Sequence, residues 1–196
     1  MGVVVRVAII GAGPAGLFVG AGLARRGHQV ITVERDPGPG ANGTWPRRGV
    51  MQFHHAHGFR HQVMQALEQE LPEALQRWLT AGAEPVRMRL PDGGEIPMGV
   101  RSRRVTFERA LRAAALSRPG LQVRRGHAEQ VTRRHGRADG IRVDGTDLIA
   151  DLVIDASGRA GRVTRSLRPP RPAAGRAASP TSTGNTGCIP VPSLDR

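Results

Sequence analysis

An apolar run from Val3 to Ile10 that ends directly on a glycine-rich turn constrains this chain more than any other feature. The turn reads Gly11-Ala12-Gly13-Pro14-Ala15-Gly16. A short apolar run of this kind predicts a buried β-strand. Gly11 allows a tight turn off that strand, Gly13 lets a ligand approach the backbone without a Cβ in the way, and Gly16 lets the next helix pack closely. A strand, a glycine turn and a helix N-terminus in this order are typical of a site for a dinucleotide pyrophosphate.

Pro14 and Ala15 begin the helix that this pattern predicts. Pro14 loses nothing at that position, because an N–H there would have no partner within the helix. The free N–H groups and the positive end of the helix dipole face a bound anion, so phosphate binding at this turn needs no charged side chain. Since a glycine-rich connection also arises for packing alone, the interpretation depends on the sequence that follows.

The sequence that follows predicts a strand–helix–strand unit ending on an acidic residue. A helix-like segment, Leu17 to Arg26, precedes a second apolar run, Gln29 to Val33, and then Glu34. A carboxylate at this position accepts hydrogen bonds from both ribose hydroxyls of an adenosine and repels a 2′-phosphate. We therefore predict a pocket that prefers FAD or NAD to NADP. The alternative interpretation of Glu34 is a solvated carboxylate at a strand end.

The formal net charge of +13 raises the question of nucleic-acid binding. All 29 basic residues are arginines, and they are scattered along the chain. Aromatic residues, which would stack on bases, make up 3% of the chain and include no tyrosine. We therefore expect no specific nucleic-acid partner, and at most nonspecific binding at low salt.

Cysteine content and hydropathy indicate the class of protein. Cys188 is the only cysteine, which excludes an internal disulfide and a cysteine-based metal cluster. No stretch approaches the ~20 apolar residues of a membrane helix, and the first strand is too short for a secretory signal. We expect a cytoplasmic protein with no membrane span.

The rest of the chain predicts helices, hairpins and short strands separated by glycine and proline. Helices are predicted over Phe59–Gln69, Pro72–Leu79 and Thr106–Leu116, and a hairpin over Val86–Met98. Short strands are predicted over Leu121–Arg125, Ala128–Arg134, Ile141–Val143 and Leu148–Ala150, with turns at Gly126, Gly136, Gly140 and Gly145. A buried parallel strand, Asp151–Asp155, leads into a second glycine turn. The pattern predicts an α/β, Rossmann-like domain with a mainly parallel sheet, flanking helices and a small antiparallel annex.

Four histidines form the sole metal constellation that the sequence suggests: His54, His55, His57 and His61. His57 and His61 have the spacing of residues on one helix face. No cysteine or carboxylate nearby is a clear additional ligand. We therefore predict no metal site; the alternatives are surface histidines or histidines next to a bound cofactor.

Three motifs occur in a fixed order along the chain. The first is the glycine turn with Glu34-Arg35, the second is Arg104 leading a helix that contains Phe107 and Leu111, and the third is Asp155-Ala156-Ser157-Gly158. In this order they resemble the FAD-dependent oxidoreductases of the aromatic-hydroxylase type, the flavoprotein monooxygenase superfamily. Within it, the sequence is similar to the branch that includes flavin-dependent halogenases and geranylgeranyl-reductase-like proteins.

The resemblance implies that FAD is the cofactor and that NAD(P)H is a transient reductant. It implies contacts to FAD from residues of all three motifs: Gly11, Gly13, Pro14, Ala15, Gly16, Glu34, Arg35, Arg104, Asp155 and Gly158. Arg47 and Arg48 either reach a phosphate or a flavin carbonyl or are solvated loop arginines. Asp155 either holds the cofactor or caps a helix start. The resemblance assigns no catalytic residue.

The chain departs from the family in two places. Asp155-Ala156 stands where many such hydroxylases have Asp-Gly, which puts an NADPH-related role for the aspartate in doubt. The family also continues with a substrate-covering sheet and a Gly-Asp motif, and residues 168–196 resemble neither. We expect a FAD-binding domain over residues 1–167, truncated relative to the family, and a low-complexity, disordered tail over 168–196.

The resemblance implies a FAD-dependent, monooxygenase-like oxidoreductase that oxidises a small apolar or aromatic molecule. Because the catalytic and substrate regions are expected to be missing, the chain alone is expected to be incomplete and inactive, and whether it is an enzyme stays open. The alternative is a noncatalytic FAD- or NAD-binding module that requires a partner chain to complete the flavin site.

Overall fold

A computed structural model describes residues 3–47, 50–158 and 163 of the chain. The helices are α1 (Pro14–Arg25), α2 (His61–Glu70), α3 (Pro72–Thr80) and α4 (Arg104–Leu116). The strands are β1 (Arg6–Ile10), β2 (Gln29–Glu34), β3 (Ala56–Arg60), β4 (Glu84–Arg89), β5 (Glu95–Arg103), β6 (Leu121–Arg125), β7 (Ala128–Arg134), β8 (Arg137–Val143), β9 (Thr146–Ile149) and β10 (Leu152–Asp155). The strands form one parallel and two antiparallel sheets.

The parallel sheet has the strand order β10-β1-β2-β6. Its central strand β1 is buried on both faces, which explains why the sequence there is a continuous apolar run. Val7 and Ile9 pack into the core on the face of α1 and α4. Ala8 and Ile10 pack on the opposite face, against the sheet β7-β8-β9. The first strand is therefore held between two layers, and its carboxyl end is fixed where the glycine turn begins.

Aromatic side chains join the helices to the second antiparallel sheet, β3-β5-β4. Trp78 of α3 is fully buried, and its ring centroid lies 4.8 Å from that of Phe59 in β3 and 4.8 Å from that of Phe107 in α4. These three rings lie at the meeting point of two helices and a strand. They position α4, which carries Arg104 at its first residue.

The α/β, Rossmann-like fold class is confirmed, with a parallel sheet, flanking helices and antiparallel strands. The helix over Pro72–Leu79 and the hairpin over Val86–Met98 are found at nearly the predicted positions. The predicted tail, residues 168–196, and its boundary at residue 167 lie outside the described residues.

Three local predictions are wrong. Phe59 lies in β3 rather than in a helix, because its strand pairs with β5 and α2 begins only at His61. Gly140 lies within β8 rather than in a turn, at a point where a Cβ would overlap the carbonyl oxygen of Leu148 in β9. The predicted strand ending at Asp155 is parallel, but it is an edge strand of the described sheet, and Leu152 is 45% exposed.

Candidate nucleotide-binding site

The glycine turn is held between the carboxyl ends of β1, β2 and β10. Gly11 has a φ of +100°, and its N–H donates to the carbonyl oxygen of Val33 at 2.7 Å. A Cβ on Gly11 would lie 2.7 Å from the carbonyl oxygen of Ala156, and a Cβ on Gly16 would overlap the carbonyl oxygen of Gly11. Both glycines are therefore required by the close packing of the turn itself.

Gly13 differs from these two glycines because the space beside it is open. It is the N-cap of α1 with φ −74° and ψ −179°, which any residue adopts. The nearest atom to a Cβ built there would be Nη2 of Arg47, at 3.8 Å. The next residues, Pro14 and Ala15, form the first turn of α1, where the N–H groups of Ala15 and Gly16 have no acceptor within the helix. The structure thus leaves an open cradle between a helix N-terminus and a guanidinium.

Glu34 lies beside this cradle at the end of β2. Its Oε2 accepts a hydrogen bond from the N–H of Ala12 at 2.9 Å, and its Oε1 accepts one from the N–H of Asp36 at 3.1 Å. An ionised carboxylate has about four lone-pair sites, so both oxygens retain capacity for further donors. The two backbone bonds hold the carboxylate next to the glycine turn.

Arg47 is brought to the cradle by the loop that follows β2. Trp45 of this loop is 3% exposed and packs edge-on against Phe53, with ring centroids 5.3 Å apart. The guanidinium of Arg47 lies over the Trp45 ring at 5.4 Å, and that of Arg109 lies over it at 5.8 Å. The buried indole therefore fixes the end of the loop and holds Arg47 against α4.

The Arg47 side chain is 7% exposed and contacts two carboxylates. Its Nη1 lies 3.3 Å from Oε2 of Glu108, and its Nε lies 3.6 Å from Oδ2 of Asp36. Arg104 joins the same group, because its Nε donates to Oε1 of Glu108 at 2.7 Å. We call Asp36, Arg47, Arg104 and Glu108 the arginine–carboxylate cluster. It connects the loop after β2 to the first two turns of α4.

Arg112 follows Glu108 by one turn of α4 and approaches the same region. Desolvation by burial lowers its pKa, the carboxylate of Glu34 opposes this by raising it, and the guanidinium of Arg47 lowers it further. A Cβ on Gly38 would lie 3.1 Å from Nη2 of Arg112. Arg112 therefore lies next to Gly38 and within electrostatic reach of Glu34 and Arg47.

Sequence reasoning missed Glu108 and Arg112. With Arg104 they are spaced four residues apart along α4, and such a row on one helix face was a signal available in the sequence. Their relation to Glu34 and Arg47 depends on the loop after β2, which no periodicity predicts.

The second glycine turn lies against the first. β10 pairs with β1 so that Asp155 is opposite Ile10, and the N–H of Ala156 donates to the carbonyl oxygen of Ile10 at 2.9 Å. Oδ1 of Asp155 accepts hydrogen bonds from the N–H and the hydroxyl of Ser157, so its carboxylate orders this turn. Gly158 has a φ of +76° and is exposed. The two turns meet at the carboxyl edge of the sheet, as their motifs predict.

The other predicted site residues have different positions. Arg35 is exposed directly after Glu34, and Arg48 lies outside the described residues. The prediction that His57 and His61 share a helix face is wrong, because His57 is in β3 and α2 begins at His61. In the ranges 3–47 and 50–158, no group of three His, Cys, Asp or Glu side chains is placed to hold a metal ion. No helix of the described part of the chain is long and apolar enough to cross a membrane.

A model of the FAD dependent oxidoreductase family matches residues 6–165. The chain belongs to this family. The predicted resemblance is thereby confirmed at the level of the family. The match begins at the first residue of β1 and extends past the second glycine turn, so it includes every element described above.

Individual proteins match over a shorter stretch or at lower identity. A D-amino acid dehydrogenase 2 from Ralstonia nicotianae is 38% identical over 48 residues, which are 24% of this chain and 11% of that protein. A solved structure of the peptidyl tryptophan dihydroxylase QhpG is 29% identical, with a TM-score of 0.53, and the match covers 82% of this chain and 34% of that one.

Two further solved structures show the same fold at lower identity. One is 2-methyl-3-hydroxypyridine-5-carboxylic acid oxygenase, with a TM-score of 0.63, 20% identity and coverage of 85% of this chain and 43% of the oxygenase. The other is the myxobacterial chondrochloren halogenase CndH, an FAD-dependent halogenase, with a TM-score of 0.59, 20% identity and coverage of 83% and 39%. The chain thus spans 34% to 43% of the length of these three solved structures.

Proposed function

We propose that the cradle at the start of α1 binds FAD, and that the protein to which this chain contributes is a monooxygenase-like oxidoreductase. The observation that carries the proposal is the open space beside Gly13, bounded by the N-terminus of α1 and the buried guanidinium of Arg47. Backbone atoms occupy the space beside Gly11 and Gly16, so among the three glycines of the turn only Gly13 leaves room for a ligand.

The donors around the cradle fit a pyrophosphate. The N–H groups of Ala15 and Gly16 are unpaired within α1, and the helix dipole adds a positive potential at the same point. Nε of Arg47 is buried and has no hydrogen-bond partner among the described residues. Nη2 of the same guanidinium is the atom nearest to the cradle, and there it would donate to a phosphate.

The charged side chains around the cradle fit the rest of an adenosine nucleotide. Glu34 would accept hydrogen bonds from the ribose hydroxyls while its backbone bonds keep it in place. Arg35 and Arg104 would approach the nucleotide from solvent and from the first turn of α4, and Arg48 is proposed for the same role. Asp155 and Gly158 would line the cofactor from the second glycine turn.

When bound, FAD supplies the electron-transfer chemistry, while this chain's residues bind and orient it. We propose that NAD(P)H is the transient reductant and that the substrate is a small apolar or aromatic molecule. The family match supports FAD as the cofactor, and the dihydroxylase QhpG, which acts on peptidyl tryptophan, supports an aromatic group as the target of oxidation. The chain spans a minor part of these solved relatives, so the residues proposed here hold the nucleotide, and none is assigned to the oxidised substrate.

A second candidate is a noncatalytic FAD- or NAD-binding module that acts with a partner chain. The observation that favours it is that the matched region contains the nucleotide cradle but covers 34% of the dihydroxylase structure. Under this proposal the chain would bind FAD tightly and would show no NADH oxidation until the partner is added.

The test is equilibrium binding of FAD to the purified, folded chain, followed by flavin absorbance and fluorescence. We expect saturable binding of one FAD per chain and competition by ADP, which carries the same adenosine and pyrophosphate. A folded protein that binds neither molecule would contradict the proposal. NADH oxidation coupled to substrate hydroxylation would then separate the first candidate from the second.

A further inference from the structure

Glu108 is the most deeply buried carboxylate in the described part of the chain, with 2% of its surface exposed. A buried carboxylate is costly unless cations and hydrogen bonds compensate it. Its Oε1 has one strong bond, from Nε of Arg104 at 2.7 Å. Its Oε2 lies 3.3 Å from Nη1 of Arg47 and has no hydrogen-bond partner in the described residues.

Both members of the Arg47–Glu108 pair have a buried polar atom without a hydrogen-bond partner among the described residues. Nε of Arg47 also lacks a hydrogen-bond partner among the described residues, although the side chain is 7% exposed. Arg47 is thus held by charge and by packing on Trp45, while its hydrogen-bonding capacity is not consumed. Nη2 of the same guanidinium is the group nearest to the cradle at Gly13.

Glu108 also reduces the repulsion between two neighbouring arginines. Arg47 and Arg104 are two like charges that approach the same carboxylate, and Arg112 adds a third cation that interacts with Arg47. Without a counter-ion between them, the two guanidinium groups would repel each other and move apart toward solvent. Arg47 would then lose its fixed position beside the cradle.

We propose that Glu108 is a positioning residue for the recognition of the nucleotide's phosphates: paired with Arg104 on α4, it fixes the guanidinium of Arg47 beside the cradle without itself touching the ligand. This inference rests on the proposed function, and it deepens it by assigning phosphate recognition to a buried carboxylate on α4. The contact with Glu108 leaves hydrogen-bond donors of Arg47 unused. These donors are therefore already in place when a ligand binds.

The proposal predicts a change in the affinity for phosphate ligands that is opposite to the change expected from the loss of a charge alone. Replacing Glu108 by Gln removes a negative charge near a phosphate site, and by charge alone this would tighten the binding of an anion. If Glu108 positions the arginines, the same substitution weakens binding, because the amide cannot hold two cations together. The direction of the change therefore separates the two explanations.

The experiment compares the binding of ADP, FAD and adenosine to the wild-type chain and to Glu108→Gln by calorimetry and fluorescence. We expect about tenfold weaker binding of ADP and FAD to the variant, and adenosine binding within about twofold of wild type because adenosine has no phosphate. Unchanged or tighter ADP binding, or equal losses for ADP and adenosine, would overturn the proposal.

The chain offers a matched control in Glu70. Its carboxylate also joins two arginines, Arg25 at 2.6 Å and Arg26 at 3.0 Å, but at the far end of α1 from the glycine turn. Glu70→Gln should leave the binding of ADP and FAD unchanged. A loss in this control equal to that in Glu108→Gln would show a general effect of removing carboxylates, and would overturn the specific role of Glu108.

Two further variants test whether Glu108 acts through the arginine. In an Arg47→Ala background, Glu108→Gln should cost much less ADP affinity than in the wild type, because the group it positions is absent. Equal costs in both backgrounds would overturn the proposal. If Glu108→Gln does not fold, Glu108→Asp keeps the charge but shortens the reach, and about threefold weaker ADP binding is expected; wild-type affinity in Glu108→Asp would overturn it.

The failure of this inference is distinguishable from failure of the proposed function. If the wild-type chain binds ADP and FAD but Glu108→Gln binds them equally well, the positioning role is wrong and the cofactor assignment stands. If the folded wild-type chain binds neither, the cofactor assignment is wrong and the positioning role fails with it.

Discussion

At Gly13, the structure predicts that one added methyl group will weaken FAD binding and leave the stability of the fold nearly unchanged. Gly13→Ala places a Cβ in open space, with Nη2 of Arg47 as its nearest neighbour at 3.8 Å. The backbone at φ −74° and ψ −179° suits alanine. A methyl group there would occupy the cradle, so we expect the variant to fold normally and to lose affinity for FAD.

The two magnitudes follow from the local geometry. Alanine is a poorer N-cap than glycine, which costs up to about 1 kcal/mol, and it reduces the entropy of the unfolded chain, which returns about 0.4–1 kcal/mol. The free energy of unfolding should thus change by less than about 1 kcal/mol. Displacing a phosphate from the N–H groups of Ala15 and Gly16 loses two hydrogen bonds to charge, about 1.5 kcal/mol or more each. The dissociation constant for FAD should rise about 100-fold.

The assay pairs FAD titration with thermal unfolding, and two glycines supply the controls. A Cβ on Gly58 of β3 would meet no atom within 4 Å, so Gly58→Ala should change neither quantity. Gly16→Ala would place a Cβ against the carbonyl oxygen of Gly11, so it should prevent folding. If Gly13→Ala binds FAD as tightly as the wild type, the reasoning about the cradle is refuted.

Three further predictions concern the ribose, an exposed ion pair and the core. Glu34→Gln keeps one acceptor and removes the charge, so the preference for ADP over ADP with a 2′-phosphate should fall about tenfold in competition binding; an unchanged preference would contradict the role of Glu34. The hydrogen bond from Arg6 lowers the pKa of Asp151 to about 2, so this pair stabilises the fold above about pH 4 and loses that contribution as the pH falls toward 2. Asp151→Asn should therefore flatten the change of stability across that interval in urea titrations, and an unaltered slope would refute the assignment. Trp78 is fully buried, so Trp78→Ala should lower the free energy of unfolding by about 3–5 kcal/mol, and a loss below about 1 kcal/mol would show that the site collapses around the cavity.

The strand, the glycine turn and Glu34 could be predicted because each depends on residues close in sequence. The continuous apolar run of β1 reflects burial on both faces, and Gly11 and Gly16 have a steric reason in the close packing of the turn. The position of Asp155 was also predictable, because the carboxyl ends of parallel strands meet at one edge of a sheet.

The arginine–carboxylate cluster could not be predicted because it joins parts of the chain that are distant in sequence. Arg47 contacts Glu108 only because Trp45 is buried against Phe53 and Arg109, which fixes the irregular loop after β2 on α4. No hydrophobic period specifies that docking. The strand at Phe59 was missed for a related reason: pairing with β5 overrides the helical spacing of the residues that follow.

The binding of FAD to the folded wild-type chain is the most direct test of the proposed cofactor site, with circular dichroism as the check on folding. We expect one FAD per chain, displaced by ADP, with binding weakened about 100-fold in Gly13→Ala. A folded chain that takes up no FAD, or that binds FAD equally well with the cradle closed by Gly13→Ala, would contradict the proposed site.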